Sequence, residues 1–296
     1  RQSVFARRGM VAASQPLAAQ AGMEILQKGG NAIDAAIATA AALTVVEPTG
    51  CGIGGDAFAL VWSKDQLHGL AGNGHAPAAL SMEAVKAAGH SEMPLYGWTP
   101  VTVPGCPSAW AELSERFGKL PFADLLKPAI SLAREGFPVS PVVAHQWQLA
   151  LKEFGPHRDG VLQAWFDTFL IDGRAPGAGE MFRNPAQAAT LEELASTRCE
   201  SFYRGAIAQR LDAHSRATGG YLRASDLEGY RAQWVDPISI NYRGVDVWEI
   251  PPSGQGLVAL MALKILEGFD FDHRDSQLTW HCLLYTSDAA DDMQCV

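Results

Sequence analysis

The chain has 296 residues, of which 48% are hydrophobic and 19% are charged, and this composition excludes a disordered or fibrous polypeptide. Its 32 acidic residues outnumber its 23 basic ones, and the basic residues form no patch interleaved with aromatic side chains. Because nucleic-acid binding needs a positive surface for the phosphate backbone, we expect no nucleic-acid partner.

The cysteines indicate the redox compartment of the protein, and the length of its apolar runs indicates whether it could cross a membrane. The five cysteines are too sparse and too irregularly spaced for a disulfide framework or a CxxC metal site, which favours a reducing, cytoplasmic compartment. The longest apolar run, residues 35–46, falls short of the roughly 20 residues that cross a bilayer, so we expect no membrane partner. A periplasmic or secreted location stays open, because the chain begins with Arg1 and a targeting segment could precede it.

Two helices are predicted near the start of the chain. Ser14, followed by Pro16, predicts the first helix start, with the serine hydroxyl as the cap and the proline in the first turn. Gly29-Gly30 predicts the end of that helix, and Asn31 predicts the cap of the next one. The second helix is rich in alanine, which implies close packing on both sides.

A glycine-rich turn and a β-hairpin are predicted next. Residues 50–55 match GxGxxG, but a dinucleotide site needs a strand before the loop and a helix after it, and here a helix precedes and a strand follows. We therefore interpret these glycines as a tight turn with close backbone packing. Residues 56–62 predict a buried strand, and residues 66–71 predict its hairpin partner.

The middle of the chain predicts a layer of helices. Ser140-Pro141 and Asn184-Pro185 each combine a capping side chain with a proline, as helix starts do. Ser225 and Glu228 have the spacing of a capping box, which predicts a further helix start.

A second hairpin and a last helix are predicted after this layer. Residues 238–248 alternate about Arg243-Gly244, which predicts two strands and their turn. Leu257, Met261 and Ile265 recur at helical spacing and predict one apolar helix face.

We predict one interwoven α/β region over residues 1–275, because no repeat, low-complexity tract or linker divides the chain. Periodicity lapses after about Asp275, and residues 282–296, CLLYTSDAADDMQCV, resemble translated sequencing-adapter sequence. We therefore predict that residues 276–296 are a non-native tail and exclude them from fold reasoning.

Motifs for metal binding or a common nucleophile are missing from the sequence. The eight histidines include no HExxH pair, and His68 and His75 have no obvious third ligand, so we expect no metal and no cofactor. No GxSxG elbow or Walker A loop occurs, and Ser253 lacks the preceding glycine that an elbow needs. We interpret Ser253 as a turn or helix-capping residue.

Three acidic residues in the first part of the chain are interpreted as structural. Asp34 lies near a predicted helix start, where the helix dipole favours a carboxylate. Glu47 and Asp56 flank the glycine turn and are expected to order it through backbone hydrogen bonds.

Residues 9–62 resemble a known enzyme family. They read GMVAASQPLAAQAGMEILQKGGNAIDAAIATAAALTVVEPTGCGIGGDAFALVW, with GGNAIDAA and GIGGDAF as the most specific blocks. This stretch is similar to the large-chain signature of the gamma-glutamyltransferase (gamma-glutamyltranspeptidase) family, and the similarity covers nearly all of residues 5–272. The fuller likeness is to bacterial members with an NGSGRAP-type loop, matched here by residues 73–77.

The resemblance implies an α/β fold of the N-terminal-nucleophile (Ntn) hydrolase type. That fold is an αββα sandwich to which a large and a small chain both contribute strands, so without the small-chain half it would be incomplete. In the family a precursor cuts itself before a threonine, whose hydroxyl then attacks the gamma-glutamyl amide while its free α-amine acts as the base. Thr279 and Thr286 do not stand in the family's processing motif. We therefore predict no catalytic residue in this chain and no activity of the chain alone.

The function that the resemblance implies belongs to the complete protein. It would cleave or transfer gamma-glutamyl groups of glutathione-type amides, with a small-molecule acyl amide and the missing small chain as partners. Two alternatives stay open: a related Ntn amidase or acylase for another acyl group, and a non-catalytic large-chain remnant that binds a ligand or partner.

Substrate binding is predicted in the loop after the first hairpin. In the family an arginine there pairs with the α-carboxylate of the glutamyl group, since the guanidinium fork matches both oxygens. Here Asn73 or His75 takes that place, depending on whether an FREMAP-type or an NGSGRAP-type loop is used for alignment. Neither is a permanent bidentate cation, so we expect weaker glutamyl specificity. The other interpretation of His75 is a solvent-facing loop histidine.

Overall fold

The computed structural model describes residues 3–158 and 162–269. Within them the helices are α1 (Pro16–Gln27), α2 (Ala32–Val46), α3 (Met82–Ala87), α4 (Cys106–Phe117), α5 (Phe122–Glu135), α6 (Pro141–Phe154), α7 (Gln163–Phe169), α8 (Pro185–Thr197), α9 (Glu200–Arg204), α10 (Ala206–Ala217), α11 (Ala224–Glu228) and α12 (Gly256–Leu266). The strands are β1 (Ala57–Ser63), β2 (Gln66–Gly72), β3 (Phe137–Pro138), β4 (Met181–Phe182), β5 (Gln233–Val235), β6 (Ile238–Tyr242) and β7 (Val245–Glu249). The predicted tail, with Thr279 and Thr286, lies outside the described residues.

The chain forms two compact units, each built from two separated segments. The helical unit is the described part of Arg1–Asp56 together with Gly74–Arg231, and the sheet unit is the described part of Ala57–Asn73 together with Ala232–Val296. The sequence predicted one interwoven region over residues 1–275. In the structure the chain runs from the helical unit into the sheet unit, returns to the helical unit, and ends in the sheet unit.

The first helix starts where predicted but has a different cap. Gln15 is the residue before α1, and its Oε1 accepts hydrogen bonds from the N–H groups of Leu17, at 2.5 Å, and Ala18, at 3.2 Å. The predicted cap, Ser14, is wrong, because it lies one residue too early. Its hydroxyl donates instead to the Glu47 carboxylate at 2.5 Å.

Close packing of α1 against α2 begins in the turn between them. Gly29 adopts φ +91°, a conformation that favours glycine, and Asn31 caps α2 as predicted. At Gly22 a β-carbon would lie 2.2 Å from Oγ1 of Thr39, so only glycine permits this helix separation. The small residues of both helices therefore set how closely they approach.

Asp34 is a buried structural carboxylate, as predicted. Its side chain has no exposed surface and accepts a hydrogen bond from the N–H of Asn31 at 3.0 Å, completing a capping box. The same carboxylate accepts from the N–H groups of Lys119, at 3.0 and 3.1 Å, and Leu120, at 3.2 Å. One side chain thus joins the start of α2 to the segment between α4 and α5.

The remaining helices of the helical unit follow the predicted layer, with one error at a helix start. Ser140 and Asn184 cap α6 and α8 as predicted. The predicted capping box of Ser225 and Glu228 is wrong, because α11 begins at Ala224 and its third residue is therefore Asp226. The core of this layer contains large, fully buried side chains: Trp110, Leu125, Leu126, Trp147, Leu191, Leu194 and Tyr203.

In the sheet unit, β1 and β2 form the predicted antiparallel hairpin, in a sheet with the order β1-β2-β5. Its turn residues, Lys64 and Asp65, have φ values of +51° and +60°, as a two-residue hairpin turn requires. The prediction that the strand is buried is wrong for one face. Phe58, Leu60 and Trp62 are 46%, 41% and 68% exposed.

The sheet unit also contains the second predicted hairpin, β6 with β7, which turns at Arg243-Gly244. Its helix α12 is present, but the predicted apolar face is wrong. The buried residues are Val258, Leu260 and Leu266, whereas Ile265 is 38% exposed. Because α12 is apolar almost all round, helical spacing alone cannot select the side that packs.

Neither a membrane-spanning helix nor a metal-binding cluster is found in the described residues. None of their helices combines the length and the apolar character needed to cross a bilayer. Within the same ranges, no group of three or more His, Cys, Asp or Glu side chains is placed to hold a metal ion.

Candidate functional site

The predicted substrate-binding loop connects β2 to α3, and its two candidate residues belong to different units. Asn73 is the last residue of its segment in the sheet unit, and His75 follows one residue later in the helical unit.

Asn73 is half-buried and bonded to the turn before α12. Its Nδ2 donates a hydrogen bond to Oγ of Ser253 at 2.6 Å. Ser253 lies in a turn, as one of its two predicted interpretations holds, while the residue before α12 is Gln255, which makes no side-chain cap. The Asn73 amide thus holds the end of β2 against the segment that precedes α12.

His75 has an exposed side chain on a fixed backbone. Its carbonyl accepts a hydrogen bond from the N–H of Val103 at 3.0 Å. Its ring lies 6.3 Å from the ring of Tyr230, and Tyr230 in turn stacks on Tyr203 at 5.5 Å. The hydroxyl of Tyr203 donates to the Pro104 carbonyl at 2.7 Å, so these aromatic contacts lead from the loop into the core.

The loop backbone is held at two further positions. At Gly74 a β-carbon would lie 1.6 Å from the Val103 carbonyl oxygen, so the two backbones are in direct contact. The Gly74 N–H also donates a hydrogen bond to the Asp56 carboxylate. At Ala78 the N–H donates to Oδ1 of Asp226 at 3.0 Å. The residues on either side of His75 are therefore fixed by groups from other segments of the helical unit.

The glycine-rich turn packs next to this loop and is the tight turn that was predicted. The carbonyl of Glu47 accepts from the N–H groups of Gly50, at 3.1 Å, and Cys51, at 3.0 Å. The carbonyl of Gly55 accepts from the N–H groups of Gly105, at 3.1 Å, and Cys106, at 3.0 Å. This turn therefore docks onto the start of α4.

The ionisable groups around the turn and the loop are not activated nucleophiles. Burial and the Asp56 charge raise the pKa of Tyr230 to about 12, and partial burial raises the pKa of Asp56 itself. Burial raises the pKa of Cys106 to about 12 and also raises the pKa values of Cys51 and Cys199. Reactive thiols have lowered pKa values, so these three cysteines are neutral and inert near pH 7.

The sequence predicted Asn73 and His75 as substrate-binding candidates, which stays a prediction, and it missed the groups that fix the loop. Val103, Asp226 and Tyr230 lie in stretches that share the family likeness, which was the only signal pointing to them. Asp226 is 148 residues from its partner Ala78, so no local pattern links the two.

Comparison with known proteins places the chain in a family. The model of the gamma-glutamyltranspeptidase family matches residues 18–291. The glutathione hydrolase-like YwrD proenzyme of Bacillus subtilis is 37% identical over 271 residues, which are 91% of this chain and 51% of that protein. The oxamate amidohydrolase proenzyme of Klebsiella pneumoniae is 36% identical over 92% of this chain and 52% of its own length. The chain thus spans about half the length of these curated relatives.

Solved structures agree with that assignment. The cephalosporin acylase from Bacillus halodurans has a TM-score of 0.90 and 54% identity, over 98% of this chain and 56% of that one. The gamma-glutamyltranspeptidase of Helicobacter pylori, at 24% identity, has the same fold, with a TM-score of 0.91 over 100% of this chain and 85% of that one. The predicted Ntn-hydrolase type of α/β fold is confirmed. The chain belongs to the gamma-glutamyltranspeptidase family of Ntn hydrolases.

Proposed function

We propose that the complete protein carrying this chain cleaves γ-glutamyl amides of the glutathione type, and that this chain supplies its large-chain half. The match of 91% of this chain to 51% of a proenzyme supports the proposal most directly. The nucleophile would be an N-terminal threonine from the other half of the polypeptide. This chain alone is then expected to be inactive.

The chemistry of the proposed reaction is balanced without a metal or cofactor. The threonine hydroxyl attacks the amide carbon, its proton passes through the terminal amine to the leaving amine, and the C–N bond breaks. The resulting ester is released by water, which gives the free acid, or by an acceptor amine, which gives a new amide. Backbone N–H groups that stabilise the oxyanion are typically worth roughly 3 kcal/mol each.

An exposed apolar strand face is consistent with a second half of the protein packing on this chain. Phe58, Leu60 and Trp62 lie on one face of β1 and are all partly exposed, Trp62 most of all. Exposed aromatic and aliphatic side chains that are neighbours on one face form the kind of surface that a partner covers. The small chain is the partner that we propose for the sheet unit.

Recognition of the acyl group is proposed to involve Asn73 and His75. The exposed imidazole of His75 stands where the family likeness has an arginine, but it lacks the guanidinium fork that matches both carboxylate oxygens. We therefore propose that the α-carboxylate of the γ-glutamyl group is held more loosely than a guanidinium would hold it. The acylase and amidohydrolase relatives motivate testing acyl groups other than glutamyl.

A panel of three anilides tests this proposal. γ-Glutamyl anilide carries both the α-carboxylate and the α-amine, glutaryl anilide lacks the amine, and 4-aminobutanoyl anilide lacks the carboxylate. Replacing His75 with arginine should lower KM for the first two by about tenfold, the effect of one charge-assisted contact, and leave KM for the third unchanged. Steady-state kinetics of the complete, processed protein measure all three.

A matched control separates this contact from a general charge effect. His90 is another exposed loop histidine of the helical unit, and His90→Arg makes the same change of charge. KM values that do not move in H75R, or that fall equally in H90R, would contradict the proposed role of His75. Turnover of none of the three anilides by the wild-type complete protein would favour a different acyl group or a non-catalytic remnant.

A further inference from the structure

Asp226 has a buried carboxylate and is only 6% exposed. Its Oδ2 accepts a hydrogen bond from the N–H of Arg223 at 2.8 Å, at the start of α11. Its Oδ1 accepts from the N–H of Ala78 at 3.0 Å. One side chain therefore bonds the start of a helix and the substrate-binding loop at the same time.

Residues at both ends of α11 contact the loop. Asp226 is in the first turn of α11 and holds the backbone at Ala78. Tyr230 follows the other end of the helix, where its N–H donates to the Leu227 carbonyl at 3.0 Å and its ring lies 6.3 Å from the ring of His75. The helix thus fixes the loop backbone and also faces the His75 side chain.

At His75 and at Gly74, the residue before it, the loop is fixed by backbone contacts. The Val103 N–H donates to the His75 carbonyl, and the Gly74 backbone packs directly against the Val103 carbonyl. Because the His75 side chain itself is exposed, its position depends on these anchors. Asp226 is the anchor on the C-terminal side.

We propose that Asp226 is a positioning residue, which fixes the loop at Ala78 so that His75 is held in place for the acyl group of the substrate. This rests on the proposed function only in assigning substrate contact to His75. A carboxylate suits the position because it accepts two N–H groups through two oxygens. An asparagine has one acceptor oxygen, and its NH₂ group would face one of the two N–H donors.

The first variant is Asp226→Asn, and the second removes only the partner atom in the loop. Ala78 is the second residue of the turn that the Leu80 N–H closes on the Pro77 carbonyl at 2.9 Å. Proline is favoured at that turn position, so Ala78→Pro deletes the N–H donor and leaves α11 untouched. Asp34→Asn is the matched control, because Asp34 is also a buried carboxylate that accepts the N–H of the residue before its helix but has no bond to the loop.

Two readouts on the complete, processed protein test the proposal. In D226N and A78P, amide hydrogen exchange of residues 74–76 should accelerate at least about tenfold, and KM for γ-glutamyl anilide should rise severalfold while kcat stays within about twofold. In D34N, the loop exchange and KM should stay at wild-type values. Added to His75→Ala, neither loop variant should raise KM further, because the residue it positions is gone.

The outcomes separate this inference from the proposed function. Loop exchange at the wild-type rate in A78P would overturn the positioning role. A further KM rise in the double variant with H75A would also overturn it, since Asp226 would then act independently of His75. Faster loop exchange with unchanged KM in every variant would uphold the anchoring by Asp226 and contradict the assignment of substrate contact to His75.

Discussion

Asp34→Ala is expected to lower the free energy of unfolding by about 3 kcal/mol. The substitution leaves the N–H groups of Asn31, Lys119 and Leu120 without their acceptor, and an unpaired buried donor costs roughly 1–3 kcal/mol. It also removes a negative charge from the first turn of α2. Urea unfolding of the purified complete protein measures the change.

The control for this prediction is an exposed aspartate that also lies in the first turn of a helix. Asp124 lies in the first turn of α5, is 39% exposed and pairs with Lys127 at 2.5 Å. Asp124→Ala should cost less than about 1 kcal/mol, as exposed ion pairs do. Equal stabilities of D34A and D124A would show that Asp34 does not join the two helix segments as described.

Gly74→Ala is expected to destabilise the protein by about 2 kcal/mol and to raise KM for γ-glutamyl anilide. The new β-carbon would lie 1.6 Å from the Val103 carbonyl oxygen, and backbone atoms cannot rotate away as a side chain can. The loop must therefore shift, and strain from overpacking typically costs about 1–3 kcal/mol. Unfolding in urea and steady-state kinetics on one preparation measure both effects.

Gly229→Ala provides the comparison for Gly74→Ala. A β-carbon at Gly229 would meet no atom within 4 Å, and its φ of −80° and ψ of −7° are accessible to alanine. We expect wild-type stability and KM from this variant. A Gly74→Ala protein with wild-type stability and KM would contradict the close contact between the loop and Val103.

Sequence patterns predicted the elements whose signals are local. Asn31, Ser140 and the Arg243-Gly244 turn each act within a few residues, and all three have the predicted role. The error at Ser14 has the same origin, because two neighbouring side chains can both cap and the sequence does not rank them. The longer Gln15 side chain folds back onto the helix, and the serine bonds elsewhere.

The failures at β1 and α12 concern which side of an element packs. Both are apolar on more than one side, so their periodicity does not single out a core-facing surface. The exposed positions of β1, including Trp62, could not be distinguished from core positions by hydrophobicity. The partners of such faces are set by the rest of the fold and not by the strand or helix itself.

The family likeness proposes site residues in one loop, but the contacts that anchor this loop were not predictable from the sequence. Family likeness pointed to Asn73 and His75, because a named motif occupies that loop. The bond from Ala78 to Asp226 spans 148 residues, and the contact of Gly74 with Val103 depends on backbone proximity. Such long-range contacts leave no local pattern in a single sequence.

The most direct test of the account is to locate the acyl group on the enzyme. The complete, processed protein is mixed with γ-glutamyl anilide, quenched with acid during turnover, digested and mapped by mass spectrometry. We predict a γ-glutamyl ester on the N-terminal threonine of the small chain and none on any residue of this chain. An acyl group attached to a residue of this chain, or catalytic turnover by this chain alone, would contradict the proposal that the nucleophile comes from the other half.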